Sequence, residues 1–218
     1  MQAGDDLGAE HARGLEQQSG QIRLAHAGIV TRRRANVNLI DRRSAVAASM
    51  TIEVRPARPD EYEETGRVTA LAYREFADTD SWDRYLELIA DVGARADIAI
   101  VLAAFDDGRV LGSATLELDQ RIEDDEPVLP PEQAEIRMLG VDPDRRGRGV
   151  AKALMDACFA WAAKAGKTRM LLHTTQRMKV AQAMYEAMGF ERLPDRTFPD
   201  GFVLLTYEKA IEPETRES

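Results

Sequence analysis

The chain has 218 residues, 44% of them hydrophobic, with a formal charge of −9 and one cysteine. These values suit a single globular domain with a tail and argue against a nucleic-acid binder with a broad phosphate-facing surface, although a few arginines on one loop can still hold a small polyanion. No run approaches the roughly 18 apolar residues that span a bilayer, the start lacks an apolar signal region, and the lone Cys158 forms no internal disulfide, so no membrane and a cytoplasmic setting are expected. Residues 1–49 carry seven arginines against five acids, net +2, which leaves −11 for residues 50–218. With no apolar period to offset ordering entropy, they read as a disordered or dispensable extension. From Met50 the texture is regular. Thr51 to Arg55 alternates as a short strand, and Pro59-Asp60-Glu61 opens a helix reaching about Phe76. Asp80-Ser81 can cap a second helix with Trp82, Tyr85, Leu86 and Ile89 at helical spacing. Ile98 to Phe105 is a near-continuous apolar strand, Asp106-Asp107-Gly108 a hairpin turn, and Val110 to Leu118 a strand with Val110, Gly112, Ala114, Leu116 and Leu118 on one face.

An acidic, proline-bearing loop (Asp119 to Glu132) leads to a strand from Ala134 to Val141. A helix from Val150 to Ala165 places Val150, Leu154, Cys158 and Trp161 on one stripe. Gly166 ends it, with Lys164 and Lys167 suited to the negative end of the helix dipole. Arg169 to Thr175 is a buried strand, Met178 to Met188 a helix closed by Gly189, and Phe202 to Tyr207 a last strand. Helices flanking a mixed sheet give an α/β (α+β) domain over residues 50–210, followed by a short polar tail, 211–218.

The chemistry concentrates between Leu139 and Leu154, where a strand passes through Asp142-Pro143-Asp144-Arg145-Arg146-Gly147-Arg148-Gly149 into a helix starting Val150-Ala151. Free N–H groups and the positive dipole end at a helix N-terminus favour an anion, and glycines let the backbone close on a phosphate. Arginines add charge-assisted contacts. This is a diphosphate cradle, with a solvated turn that merely caps the helix as the alternative. It lacks the spacing of a P-loop or of a dinucleotide fingerprint.

Arg146-x-x-Gly149-x-Ala151 resembles the acyl-CoA pyrophosphate motif of the GNAT superfamily of N-acetyltransferases. Ile136 to Pro143 resembles that family's fourth strand, and Ala181-x-x-x-Tyr185-Glu186-x-x-Gly189-Phe190 its last helix and the following turn. The resemblance, spanning about Met50 to Ala210, implies a GNAT fold: a mixed twisted sheet of six to seven strands flanked by about four helices, splayed between strands four and five. It implies acetyl-CoA as co-substrate, with no metal. Leu139, Gly140, Val141, Arg146, Gly147, Arg148, Gly149, Val150 and Ala151 would hold it, the strand backbone pairing with pantetheine like an added strand. A backbone N–H near Leu139 to Val141 would face the developing oxyanion.

The implied reaction is attack of a primary amine on the thioester. Tyr185 is the candidate acid for the leaving thiolate, or else an amphipathic core tyrosine. Glu135 is the candidate base, read as in phase with Arg137, Leu139 and Val141, or else a solvated residue where the strand begins. Met178 stands where many members carry Asn, so that polar contact is absent or comes from Thr174, Thr175 or Gln176. His11, His26, His173 and Cys158 lack metal-ligand spacing; His173 reads as a satisfied strand residue and Cys158 as core. The acidic loop could select a cationic acceptor such as a polyamine, an aminoglycoside or a lysine-bearing protein. A non-catalytic acyl-CoA sensor, an interaction module and a homodimer all stay open.

Overall fold

A computed structural model describes residues 51–77, 81–122, 128–198 and 201–212. The extension 1–49, Asp80, the middle of the acidic loop and most of the tail lie outside the described residues. Strand β1 (Glu53–Pro56) precedes a 3-10 turn, Pro59–Glu61, where Glu61 accepts from the Arg58 N–H at 2.9 Å. Helix α1 (Tyr62–Tyr73) buries Thr65, Gly66, Val68, Thr69 and Ala72, one face at helical spacing. Helix α2 (Ser81–Ala90) follows, then α3 (Val92–Ala96), which the sequence reading left without an element. It is five residues long and depends on the Asp91 side chain accepting from Ala94 N at 3.0 Å.

Strands β2 (Ile100–Asp106) and β3 (Arg109–Glu117) form a hairpin turning at Asp107 and Gly108, both with positive φ. Strand β4 (Gln133–Val141), helix α4 (Val150–Lys164), strand β5 (Arg169–Thr175) and helix α5 (Lys179–Ala187) complete the middle of the domain. Two-residue strands β6 (Glu191–Arg192) and β7 (Arg196–Thr197) then flank Pro194 before β8 (Val203–Ala210). The sheet order is β1-β2-β3-β4-β5-β8-β6, with β7 also on β8, and only β4–β5 is parallel. The mixed fold agrees with expectation. The described residues hold eight strands and five α-helices, because α3, β6 and β7 are too short to leave a period in the sequence.

One face of the sheet (Leu102, Ala114, Leu116, Ile136, Leu172) packs on α4 and α5, and the other lies under α1 and α3. This double cover corrects the one-faced reading of β3, whose Ser113, Thr115 and Glu117 are buried as well; a register shift opposite Ala104 and Phe105 also turns Val110 to the Val68 side and Leu111 to the side of Ala114 and Leu116. The α4 stripe also differs. Met155 and Ala162 complete it, while Trp161 is 39% exposed, since residues 154, 155, 158 and 162 share the arc that meets the sheet. Gly166, at φ 76°, ends α4 with its N–H on Ala163 O, and the Lys167 N–H reaches Ala162 O. The Lys167 ammonium does not serve the helix dipole; it is buried against Asp119 at 2.7 Å and Pro131 O at 3.0 Å, which pins the acidic loop at both ends.

Close backbone approach explains Gly66, where an added Cβ would lie 2.0 Å from Ala90 O. Gly66→Ala should therefore lose about 1–3 kcal/mol by overpacking, despite better helix propensity. Gly93→Ala, whose Cβ would meet nothing nearer than 3.6 Å, should hold or gain stability. Urea unfolding of both variants checks this, and an unchanged midpoint in Gly66→Ala would contradict the tight α1–α2 contact.

Candidate active site

β4 and β5 pair over only four residues, Gln133–Ile136 with Arg169–Leu172. Beyond Ile136, β4 stays with β3 through Arg137, Gly140 and Val141, while β5 stays with β8 through His173, Thr174 and Thr175. Among the described residues no strand pairs with the β5-facing edge of β4 from Arg137 to Val141. The divergence coincides with a bulge: two steps of β3, Ser113 to Thr115, face three steps of β4, Gly140 to Arg137, around Met138 at φ 51°. A bulge bends its strand and sharpens the local twist. It also breaks the period-2 phase, so Gly140, rather than Leu139 or Val141, shares the face of Glu135 and Arg137. The expected common phase of Glu135, Leu139 and Val141 is corrected on that ground. Gly140 has a packing reason as well, since a Cβ there would lie 3.1 Å from Ala72 Cβ and 3.3 Å from Thr69 O.

The open edge runs into the glycine turn. Asp142 donates its N–H to Leu111 O at 2.9 Å and accepts from Asp144 N, closing the 3-10 turn Pro143–Arg145. Gly147 (φ 72°) and Gly149 (φ 84°) follow, the second being the N-cap of α4. No side chain caps that terminus. The N–H groups of Val150, Ala151 and Lys152 therefore have no acceptor within the helix. A Cβ on either glycine would meet nothing within 4 Å, so the approach to these donors is open. Arg148 is exposed, whereas Arg146 turns back to α1, with Nη1 2.6 Å from Glu75 Oε1 and Nη2 3.2 Å from Ala72 O.

Tyr185 projects from α5 into the core, 6% exposed, with its ring 5.8 Å from Phe190 and 5.9 Å from Tyr207. Burial holds its phenol well above the ordinary value. Burial also raises Tyr73 at the end of α1, helped by the hydroxyls of Tyr85 and Tyr185 and opposed by Arg95 and Arg137. Tyr73 stacks edge-on with Tyr85, and Tyr85 with Trp82. The Thr174 hydroxyl faces Met178 Sδ at 3.4 Å, and Gln182 donates to Thr175 O at 2.8 Å.

Glu135 is 2% exposed, so it is no solvated strand end. It sits directly across from Glu117 in the β3–β4 register. Arg121 Nη1 bridges the pair, 2.6 Å from Glu135 Oε2 and 2.8 Å from Glu117 Oε2, the second an ion contact without hydrogen-bond alignment. Glu117 Oε1 accepts from Ile122 N at 2.9 Å and lies 3.5 Å from Arg137 Nη1. Burial first, and then Glu135, raise the Glu117 carboxyl, while the Ile122 N–H, Arg137 and Arg121 oppose it. His173 Nε2 is 3.8 Å from Glu135 Oε1. Arg95, wholly buried under α3, donates to Thr115 Oγ1 and to Ile89 O, and burial lowers it to about 10. Sequence reasoning missed Glu117, Arg121 and Arg95. The available signal was the polar set Ser113, Thr115 and Glu117 at period 2 within an apolar strand.

Cys158 is core, its thiol pushed up to about 12 by burial. Among the described residues no group of three His, Cys, Asp or Glu side chains could hold a metal, and no helix is long and apolar enough to cross a membrane. An open hollow of about 340 Å³, lined by Ala96, Ile98, Leu116 and Leu118 among others, lies at the far end of β3 from the β4–β5 gap. It has no cradle of free N–H groups.

Comparison with protein families matches residues 61–190 to the Acetyltransferase (GNAT) family. The chain belongs to that family. A mycothiol acetyltransferase of Geodermatophilus obscurus is 28% identical over 126 residues, covering 58% of this chain and 40% of the relative. The chain thus spans less than half the length of that curated relative. Among solved structures, a PaiA N-acetyltransferase of Thermoplasma acidophilum in complex with coenzyme A superposes with TM-score 0.56 at 16% identity, covering 73% of this chain and all of that one. A GNAT acetyltransferase of Brucella melitensis in complex with acetyl-CoA gives 0.52 at 20% identity, covering 78% and 94%. At these identities the likeness shows the shared GNAT fold.

The Glu117–Arg121–Glu135 triad makes a stability prediction. Removing one partner of a buried ion pair costs about 3–5 kcal/mol, and Arg121→Ala should approach the lower figure at pH 7. Burial raises the Glu117 carboxyl from its ordinary value, so its protonated form favours the fold, and that stability is lost as pH rises through its folded value. Without Arg121 this loss deepens, so the deficit should shrink toward pH 4 and grow toward pH 7. Equal deficits at both pH values in denaturant titrations would contradict the pairing.

Proposed function

We propose that this GNAT protein is an acetyl-CoA-dependent N-acetyltransferase that moves acetyl to a primary amine by direct attack. One observation carries the reading: the β4 edge freed beyond Ile136 leads straight into an α4 N-terminus whose cap is a glycine. The edge suits the amides of a pantetheine arm, through Leu139, Gly140 and Val141. The terminus suits a diphosphate, through Gly147, Gly149 and the N–H groups of Val150 and Ala151. Arg148 is already exposed there, and Arg146 would exchange Glu75 for a phosphate oxygen. The coenzyme A and acetyl-CoA complexes of the two structural neighbours support acetyl-CoA as the co-substrate.

The chemistry follows from what the side chains can hold. Tyr185, kept protonated by burial, donates its proton to the departing thiolate. Glu135 is too buried to touch an ammonium directly and takes its proton through water. A backbone N–H between Leu139 and Val141 faces the carbonyl oxygen as it gains charge. The acidic loop from Asp119 to Glu132 suits a cationic acceptor. A buried lone cysteine fits a reducing compartment such as the cytoplasm.

Release of free thiol from acetyl-CoA over a panel of primary amines tests the reading. Amine-dependent release is expected; tight acetyl-CoA binding without release from any amine would leave a sensor. One observation favours that second reading, the packing of Tyr185 as core between Phe190 and Tyr207. Tyr185→Phe keeps the packing and deletes the proton. Turnover should fall by about 10²–10⁴ with the acetyl-CoA dissociation constant unchanged. A rate within about threefold of the parent, with chemistry limiting, would remove Tyr185 from the mechanism.

A further inference from the structure

The glycine turn carries three arginines, Arg145, Arg146 and Arg148. Among the described residues Arg145 and Arg148 make no ion pair, whereas Arg146 Nη1 lies 2.6 Å from Glu75 Oε1 and Nη2 donates to Ala72 O at 3.2 Å. Both partners belong to the end of α1. Ala72 lies in its last turn, and Glu75 in the 3-10 turn Arg74–Phe76 that continues it. A guanidinium there also meets the negative end of the helix dipole. The helix itself is fixed on its own side, because Ala72 is 4% exposed and a Cβ on Gly140 would lie 3.1 Å from Ala72 Cβ. The side chains of Arg146 and Glu75 are 41% and 47% exposed, so the pair can part without opening the core. Phe76 O accepts from Arg177 Nη1 at 3.2 Å, a second tie on the turn that does not involve the cradle.

We propose that Glu75 is a latch on the cradle: it holds Arg146 against α1 until a diphosphate takes the guanidinium, so that binding of acetyl-CoA loosens the turn between α1 and α2. This rests on the reading of the glycine turn as the diphosphate site. A guanidinium is a planar fork that grips one oxyanion at a time with its paired N–H groups. With both Nη atoms engaged on α1, the fork must turn to grip a phosphate, and the carboxylate is then displaced. The more highly charged diphosphate favours that exchange, but the broken pair is subtracted from the affinity. Linkage makes the effect reciprocal: what Glu75 withholds from the ligand, the ligand withholds from the end of α1. Exposed ion pairs are weak, so the latch tunes affinity over a few-fold range and does not block the site.

Calorimetric titration of acetyl-CoA into the full chain tests this with the parent, Glu75→Gln, Arg146→Ala and the double variant. Glu75→Gln should bind about twofold to fivefold more tightly than the parent, the range that an exposed ion pair spans. Removing any carboxylate near a diphosphate eases repulsion, with or without a latch, and the double variant separates the two effects. The latch predicts that most of the gain from Glu75→Gln disappears in the Arg146→Ala background. An equal gain in both backgrounds would reduce Glu75 to a repelling charge and overturn the latch, as would unchanged affinity in Glu75→Gln. Arg146→Ala alone should bind more weakly, and parental affinity there would take Arg146 out of the cradle and the latch with it. Hydrogen exchange of the parent reads the release and the cradle separately. With acetyl-CoA bound, the amides of Val150 to Lys152 should slow, while those of Arg74 to Ala77 should quicken by about twofold or more. Slowing at α4 with no quickening at the turn would overturn the latch and leave the diphosphate site standing. No slowing at α4 under saturating acetyl-CoA would remove both.

Discussion

Everything at the candidate site depends on how soon the parallel β4–β5 ladder stops. Four paired residues join the two halves of the sheet. Any longer run would satisfy the β4 edge internally and close the route from that edge to the α4 N-terminus. The bulge at Met138 and the close approach of α1 over Gly140 hold β4 against β3 on one side. The β5–β8 ladder, seven pairs long, holds β5 on the other. Each strand is thus fixed by its outer neighbour.

The two faces at the gap do different things. The α4–α5 face is apolar and carries Tyr185 among Phe190 and Tyr207, an environment that keeps a phenol neutral. The α1–α3 face carries Glu117, Glu135, Arg121, Arg137 and His173, a buried polar set whose cost is met by mutual pairing. A proton donor and a proton acceptor can be kept in different protonation states at one pH when their surroundings differ in this way. The parting of the strands puts the environments side by side.

Much of this was legible in the sequence. The apolar run of β2, the stripe of α4, the closing glycines 166 and 189, and the glycine–arginine turn all show themselves locally. What escaped reading depends on partners distant along the chain. Met138 gives no hint of positive φ, because bulges are set by the neighbouring strand's register. Glu135 reads in the sequence as a candidate base or else a solvated strand end, and only the fold brings Arg121, fourteen residues before it, and Glu117 across the ladder to enclose it. Lys167 suited a helix dipole on position alone, and only the fold brings Asp119 and Pro131 to it. The resemblance to GNAT acetyltransferases named the family, because its glycine–arginine turn and last helix are local in the chain.

Backbone hydrogen exchange with and without acetyl-CoA tests the central claim most directly. If the ligand lies along the freed edge and on the helix terminus, the amides of Leu139 to Val141 and of Val150 to Lys152 should include the most strongly slowed, while β1 and β2 barely change. Saturating binding of acetyl-CoA that leaves both segments exchanging at their free rates would contradict the account.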